Sequence, residues 1–399
     1  MTHSKRLSVI LLLIIAIFGS ASSQDRAVYI TDQKNGKTEM KFTMDFSKVR
    51  APKSLDEFTQ LAHLSPIRQD TTGTCWAFAT ISLLESELAR KGKPMVKLSE
   101  MYIVYWEYLE KVRQFVQQQG NSFFGEGSQH NAVLRQMKSH GLVRASDYNG
   151  LLPGAIGHNH AKLFHELKNY LNYLKENGIW DENQAIAYTK LVLNKYLGEP
   201  PERILVDGNP MTPLQYMTDI LQINPDDYVC FMSLMEAPFY QQAEYKVPDN
   251  WWHSSDYYNV PLDEFYGAIV NAVKRGFTVA LGGDTSEPGK SAEHDIAIIP
   301  SFDLPAQYID QSAREFRFKN NSSTDDHAVH LVGYKKIGRD TWFLIKDSGG
   351  SAFRGKLKGY FMFRDDYVRL KMLNFMVHQD AVSDLLEKIH QNQASQQSR

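Results

Sequence analysis

Cysteine is scarce in this chain: there are two thiols, Cys75 and Cys230, among 399 residues. Two cysteines cannot build a four-thiolate zinc site, and a chain this long can bury a sizeable core without disulfide staples. An excess of charge of either sign is also missing, with 44 Lys and Arg against 46 Asp and Glu. That balance argues against a dedicated nucleic-acid binder, which needs a basic face for the phosphates. No GxGxxG or GxxxxGKS/T run occurs, so nucleotide binding has no motif behind it. Neither His158-Asn-His160 with His165 nor Asp325-Asp326-His327 with His330 matches a known metal-ligand spacing such as HExxH. No metal and no cofactor are expected. Internal repeats are lacking. The 43% hydrophobic and 23% charged residues are the make-up of a packed globular protein, which excludes a disordered chain.

Long apolar runs are confined to the first residues. Lys5 and Arg6 precede an apolar segment at 8–18, and Gly19-Ser-Ala-Ser-Ser23 supplies small residues. This is the three-part layout of a secretory signal peptide. The segment is shorter than the roughly 20 residues that span a bilayer. The expectation is a leader over 1–23, a mature chain beginning near Gln24, export to a periplasm or the exterior, and no stable membrane insertion.

Residues 24–68, with Pro52 and Pro66, read as an N-terminal arm. Apolar residues at 76, 79, 83, 84 and 88 predict a helix with one buried face, stopped at Gly92. A second helix is expected from Ser99, with Glu100 in its first turn, to about Gly120. Further helices fit 132–140, 161–176 and 181–197. The last two form a helical insertion over about 154–200, closed by Pro200-Pro201. From 228 the texture changes to short β-rich runs at 228–234, 278–281, 329–334, 341–346 and 360–363, with one helix at 262–274. The fold class is α+β, a helical front half packed on an antiparallel β-rich back half. The polar residues 391–399 read as a mobile tail.

Cys75 precedes the first helix in Gln69-Asp-Thr-Thr-Gly-Thr-Cys75-Trp-Ala-Phe78. A helix N-terminus favours thiolate over thiol, Trp76 would shield it, and Gly73 allows close backbone approach. The Gln69 amide and the Cys75 N–H could meet one developing oxyanion. The same residues also suit a helix-capping loop around a buried thiol. Cys230 sits in an apolar strand and reads as a small hydrophobe. A thiolate needs a base, and His327 and His330 open a strand on which they point to opposite sides. If a turn around 337–340 folds the next strand back, position 347 comes opposite about 329, so Asp347 could orient His327.

Taken together, Gln69-x-x-x-Gly-x-Cys75-Trp-Ala-Phe, His327-Ala-Val-x-x-Val-Gly-Tyr and Ile345-Lys-Asp347-Ser-x-Gly350 resemble the papain-like cysteine peptidases. The order Gln, Cys, His and then an amide or acid is theirs. The Cys-to-His separation far exceeds the ~130–150 residues of papain and the cathepsins. Residues 24–74 are too few for their long inhibitory propeptide. Both features fit the bleomycin hydrolase and bacterial aminopeptidase C branch. Leu98-Ser-Glu-Met-Tyr-Ile-Val-Tyr-Trp106, Gly125-Glu-Gly-Ser-Gln129, Val279-Ala-Leu-Gly-Gly-Asp284 and Lys358-Gly-Tyr-Phe-Met-Phe363 are similar to segments of that branch. The resemblance implies a papain-like peptidase domain over 69–390, Cys75, His327 and Asp347 as catalytic residues, Gln69 in the oxyanion hole, peptide substrates, and a homo-oligomer, in that branch a hexamer. Two replacements stand out: Asp347 occupies the family's Asn position, and Gly349 the place of a shielding Trp, which implies a wetter, less rigid His–Asp pair. In the branch the carboxyl end lies in the cleft and meets the substrate's ammonium. Here the carboxylate of Arg399 would take that part.

Overall fold

A computed structural model describes residues 25–34, 37–286 and 288–397. The leader expected over 1–23 and the carboxylate of Arg399 lie outside the described residues.

The N-terminal arm opens as a hairpin of β1 (Ala27–Lys34) and β2 (Lys37–Met44), paired from Ala27 opposite Met44 to Lys34 opposite Lys37. Met44 and Phe46 then bury against a core with Val332 and Trp342. Thr59–Gln60 pairs with Gly333 and Tyr334. A Cβ on Gly333 would come within 2.8 Å of the Thr59 carbonyl, so only glycine admits this strap.

Helix α1 (Cys75–Arg90) departs from the expected single buried face: every residue from Trp76 to Leu88 is buried. The helix runs between the sheet and two further helices, and several of its polar residues find partners inside. Thr80 bonds the Trp76 carbonyl, Ser82 bonds His330, and Glu85 pairs with Lys97. Helix α2 (Glu100–Gln117) is capped by Ser99, whose Oγ accepts from the Tyr102 N–H. Helix α3 is His130–His140. The insertion is a pair, α4 (Ala161–Glu176) and α5 (Glu182–Leu197), with Leu171, Leu174 and Ala185 packed on Val112 and Phe115 of α2.

The back half is built from β3 (Tyr228–Met232), β4 (Tyr257–Asn259), β5 (Val279–Gly283), β6 (His327–Ile337), β7 (Asp340–Lys346), β8 (Tyr360–Arg364) and β9 (Met372–His378). Their order in the sheet is β8-β7-β6-β5-β9-β3-β4. Most pairs are antiparallel. The sheet is nevertheless mixed, because β3 runs parallel to β4 and Ile296–Ala297 runs parallel to β8. Alternation along the strands splits the core: Cys230, Met232 and Ala280 face α1, while Phe231, Val279 and Leu281 face α6 (Leu262–Lys274). Helices α7 (Gln311–Lys319) and α8 (Asp365–Lys371) were not expected from the sequence, nor was β9, which is buried along its whole length. The polar stretch from Gln391, expected as a mobile tail, continues helix α9 (Ser383–Gln397). Ile389 of α9 is buried in the core on the α6 side, Lys388 pairs with Glu264 of α6, and Gln393 bonds the Tyr240 carbonyl. Among the described residues no helix is long and apolar enough to cross a membrane.

Candidate active site

Cys75 is the first residue of α1 and is half-buried. Among the described residues no acceptor takes its backbone N–H, which stays one of the open donors of a helix start. Immediately before it, the Gly73 N–H donates to Glu126 Oε2 at 2.8 Å. A Cβ at Gly73 would lie 2.7 Å from the Glu126 Cβ, so glycine is needed for this contact. Trp76, 2% exposed, sends its indole N–H to the Glu126 carbonyl. The glycine-rich segment 125–128 thus sits on the mouth of α1. Lys111 of α2, itself 1% exposed, holds that segment by donating to the carbonyls of Gly125 and Gly127.

The partner strands fold as the turn suggested. Ile337 opposes Asp340 and His330 opposes Lys346, with a bulge between Leu331 and Gly333 that brings 347 opposite 329. His327 Nε2 and Asp347 Oδ1 are 2.7 Å apart. Burial opposes charge on His327. The Asp347 carboxylate, its hydrogen bond and the Cys75 sulfur outweigh burial and raise the imidazole to about 10. Burial likewise opposes the Asp347 charge, yet His327 holds the carboxyl below the usual range. The sequence implied a wetter His–Asp pair for want of a Trp at 349. The structure differs: Asp347 is 1% exposed. The Gly349 N–H donates to Asp347 Oδ1 at 2.7 Å, and a Cβ there would come within 3.1 Å of that oxygen and 3.3 Å of the imidazole. Backbone covers the pair where the indole would stand.

His330 turns the other way and bonds Ser82 of α1, with burial pushing it well below its ordinary value. Gln69, 8% exposed, accepts from Ser348 Oγ at 2.7 Å and donates to the Thr72 carbonyl at 2.7 Å. Its backbone N–H donates to the Ser348 carbonyl. The residue after Asp347 therefore fixes the residue six places before Cys75, tying both halves of the site together. Next to Gln69, Asp70 takes a left-handed φ of 56° and accepts the His158 N–H. Asp284 is structural: it accepts from Ser286, Thr324 and Lys371. Cys230 is a free buried thiol, and burial pushes it up. The arrangement suits attack by Cys75 on a carbonyl, with an oxyanion between the Cys75 N–H and the Gln69 amide. Ser348 and Glu126 are not among the site residues expected from the sequence, although Ser348 adjoins Asp347 in the 345–350 motif and Glu126 lies in the 125–129 segment.

A small cavity adjoins Cys75 and His327 on the side of α3. Its wall includes Gln129, His130, Asp249, Gly282, Asp325 and Asp326. Among the described residues none of the three aspartates has an ion-pair partner within 4 Å. Burial pushes Asp325 up to about 7, with the Asp249 charge adding to the effect.

The Papain family cysteine protease profile matches residues 51–189, which hold Gln69 and Cys75. The Peptidase C1-like family profile matches 202–397, which hold His327 and Asp347. The chain is 22% identical over 373 residues to Aminopeptidase E of Lactobacillus helveticus, covering 82% of this chain and 83% of the relative. It is 21% identical over 368 residues to Aminopeptidase G of Lactobacillus delbrueckii subsp. lactis, covering 80% and 82%. The crystal structure of PepW from Lactobacillus rhamnosis superposes with a TM-score of 0.67 at 17% identity, over 85% of both chains, and shares the fold.

Proposed function

Because the chain is a papain-like cysteine peptidase of the aminopeptidase C branch, we propose that it hydrolyses peptide bonds through Cys75, His327 and Asp347 and acts from a free N-terminus. The observation that carries this reading is His327 held between the Cys75 sulfur and Asp347 Oδ1, the latter at 2.7 Å. In the proposed cycle the Cys75 thiolate attacks the scissile carbonyl while the Cys75 N–H and the Gln69 amide meet the oxyanion. The His327 imidazolium gives its proton to the leaving amine as the C–N bond breaks, which leaves a thioester. Neutral His327 then takes a proton from water, whose oxygen attacks the thioester. Cys75 leaves as thiolate, the acid is released and His327 is imidazolium again. Asp347 keeps the imidazole in place and favours its charged form.

The names of the two relatives support the aminopeptidase part. A second reading, an endopeptidase with an open cleft, is favoured by one observation: Ile389, Lys388 and Gln393 fasten α9 on the α6 side of the sheet, whereas Cys75 packs on the opposite core. A peptide-library digest with free and acetylated N-termini, followed by mass spectrometry, separates the two. Stepwise loss of N-terminal residues from free peptides alone supports the aminopeptidase. Equal internal cleavage of acetylated peptides overturns it. The leader over 1–23 supports export, and N-terminal sequencing of the secreted protein should begin near residue 24.

A further inference from the structure

We propose that the cavity beside Cys75 is the binding site for the substrate's α-ammonium group, with Asp249 and Asp325 as its anchoring carboxylates. The inference rests on the peptidase reading and deepens it. In a substrate cleaved after its first residue, the α-nitrogen lies about 2.5 Å from the scissile carbonyl carbon, two bonds away. Any group that anchors it must share a pocket with the nucleophile. This cavity does, since Cys75, His327, Asp249 and Asp325 all line it.

Three features set its chemistry. The first is charge: the carboxylates face it without an ion-pair partner, and the nearest buried cation, Lys111, is committed to the carbonyls of Gly125 and Gly127. The second is that the carboxylates are built in. The Asp325 carboxylate accepts from Gln129 and Asn374, which are 4% and 0% exposed. Asp249 lies against Gly127 so closely that a Cβ there would meet its Oδ2 at 2.1 Å. The third is an open contact. His130, 1% exposed, also lines the cavity, and its Nε2 has no hydrogen-bond partner. An incoming polar group would complete it.

Size decides which cation enters. The cavity leaves about 20 Å³ for the centre of a water-sized group. That holds an ammonium, which is about as large as a water, but not the stem of a lysine or arginine side chain.

The test compares wild type with Asp249→Asn and with Asp325→Asn on matched fluorogenic amides, free and N-acetylated, including an N-acetyl-lysyl dipeptide amide. Iodoacetamide alkylation of Cys75 and a thermal melt control for an intact site. A charge-assisted contact supports an expected loss of about 10- to 100-fold in kcat/KM on the free amine, carried mainly by KM, so that the ratio of free to acetylated rates collapses. Asp249, the less enclosed of the two, gives a readout even where Asp325→Asn does not fold. An unchanged ratio in Asp249→Asn, or a wild type that prefers the acetyl-lysyl substrate and loses that preference in the variants, overturns the proposal while leaving the peptidase reading intact. A wild type that turns over none of the amides and whose Cys75 resists alkylation removes the peptidase reading itself.

Discussion

At the residue scale, the field that Asp347 imposes on His327 sets the charge state of the imidazole. The imidazole is raised above its ordinary 6.5 to about 10, so protonation favours the folded state. That stabilisation is full below about pH 6.5 and is lost as pH rises through about 10. Asp347→Ala removes the charge and the acceptor. The alkaline limb of kcat/KM should move down by more than one pH unit, and the alkaline melting curve should lose the matching fall. Asp347→Asn keeps an acceptor at the same place and should retain substantial turnover at neutral pH, with the limb lowered by the missing charge. A pH–rate profile of Asp347→Ala that overlays wild type contradicts the orienting role. The two histidines of β6 separate just as sharply. His327→Ala should lower kcat by orders of magnitude. His330→Ala should cost about 1–3 kcal/mol of stability, by leaving Ser82 unpaired, and should change turnover only a few-fold. A His330 variant more damaged in kcat than the His327 variant would reverse the assignment.

At the element scale, the N-terminus of α1 is positioned by what presses on it. Gly73 leaves no room for a Cβ beside Glu126, so Gly73→Ala must displace either the glycine-rich segment or the first turn of α1. About a 100-fold loss in kcat/KM with a melting temperature within a few degrees of wild type is expected, because small displacements of a nucleophile are costly. An unchanged kcat/KM would show that the contact does not align Cys75. Much of this level was legible in the sequence. The helix pair 161–176 and 181–197, the helix at 262–274 and the β6–β7 hairpin carry clear periodicity, caps and a turn, and the hairpin register led directly to the His327–Asp347 contact. Helix α1 differs from the expected single buried face because Thr80, Ser82, Glu85 and Glu87 look solvent-facing in sequence, whereas Thr80 meets His130, Ser82 meets His330, Glu85 meets Lys97 and Glu87 meets Arg90 of the same helix. Strand β9 was missed because it follows α8 with no turn residue between Lys371 and Met372, and a strand buried on both faces has no alternation to betray it. The cover that Gly349 gives to Asp347 lies in backbone position, which composition does not reveal.

At the scale of the whole molecule, two cores meet along the sheet, with Cys75 at the helical core and α9 on the α6 core. Truncating the chain after His390 should therefore leave the ratio of free to acetylated substrate turnover unchanged, while Ile389→Ala, inside the core, should cost about 2–5 kcal/mol. A truncation that opens the enzyme to acetylated peptides would show that the chain end reaches the cleft after all. The central claim is that Cys75, activated by His327 and Asp347, is the nucleophile of a peptidase. Its most direct test is stoichiometric labelling with an epoxysuccinyl inhibitor, followed in parallel by peptide turnover and by mass spectrometry of the digested protein. The expected result is one adduct per chain on Cys75, loss of turnover in step with labelling, and neither label nor turnover in Cys75→Ala. Full turnover retained after Cys75 is labelled, or turnover that survives in Cys75→Ala, would contradict it.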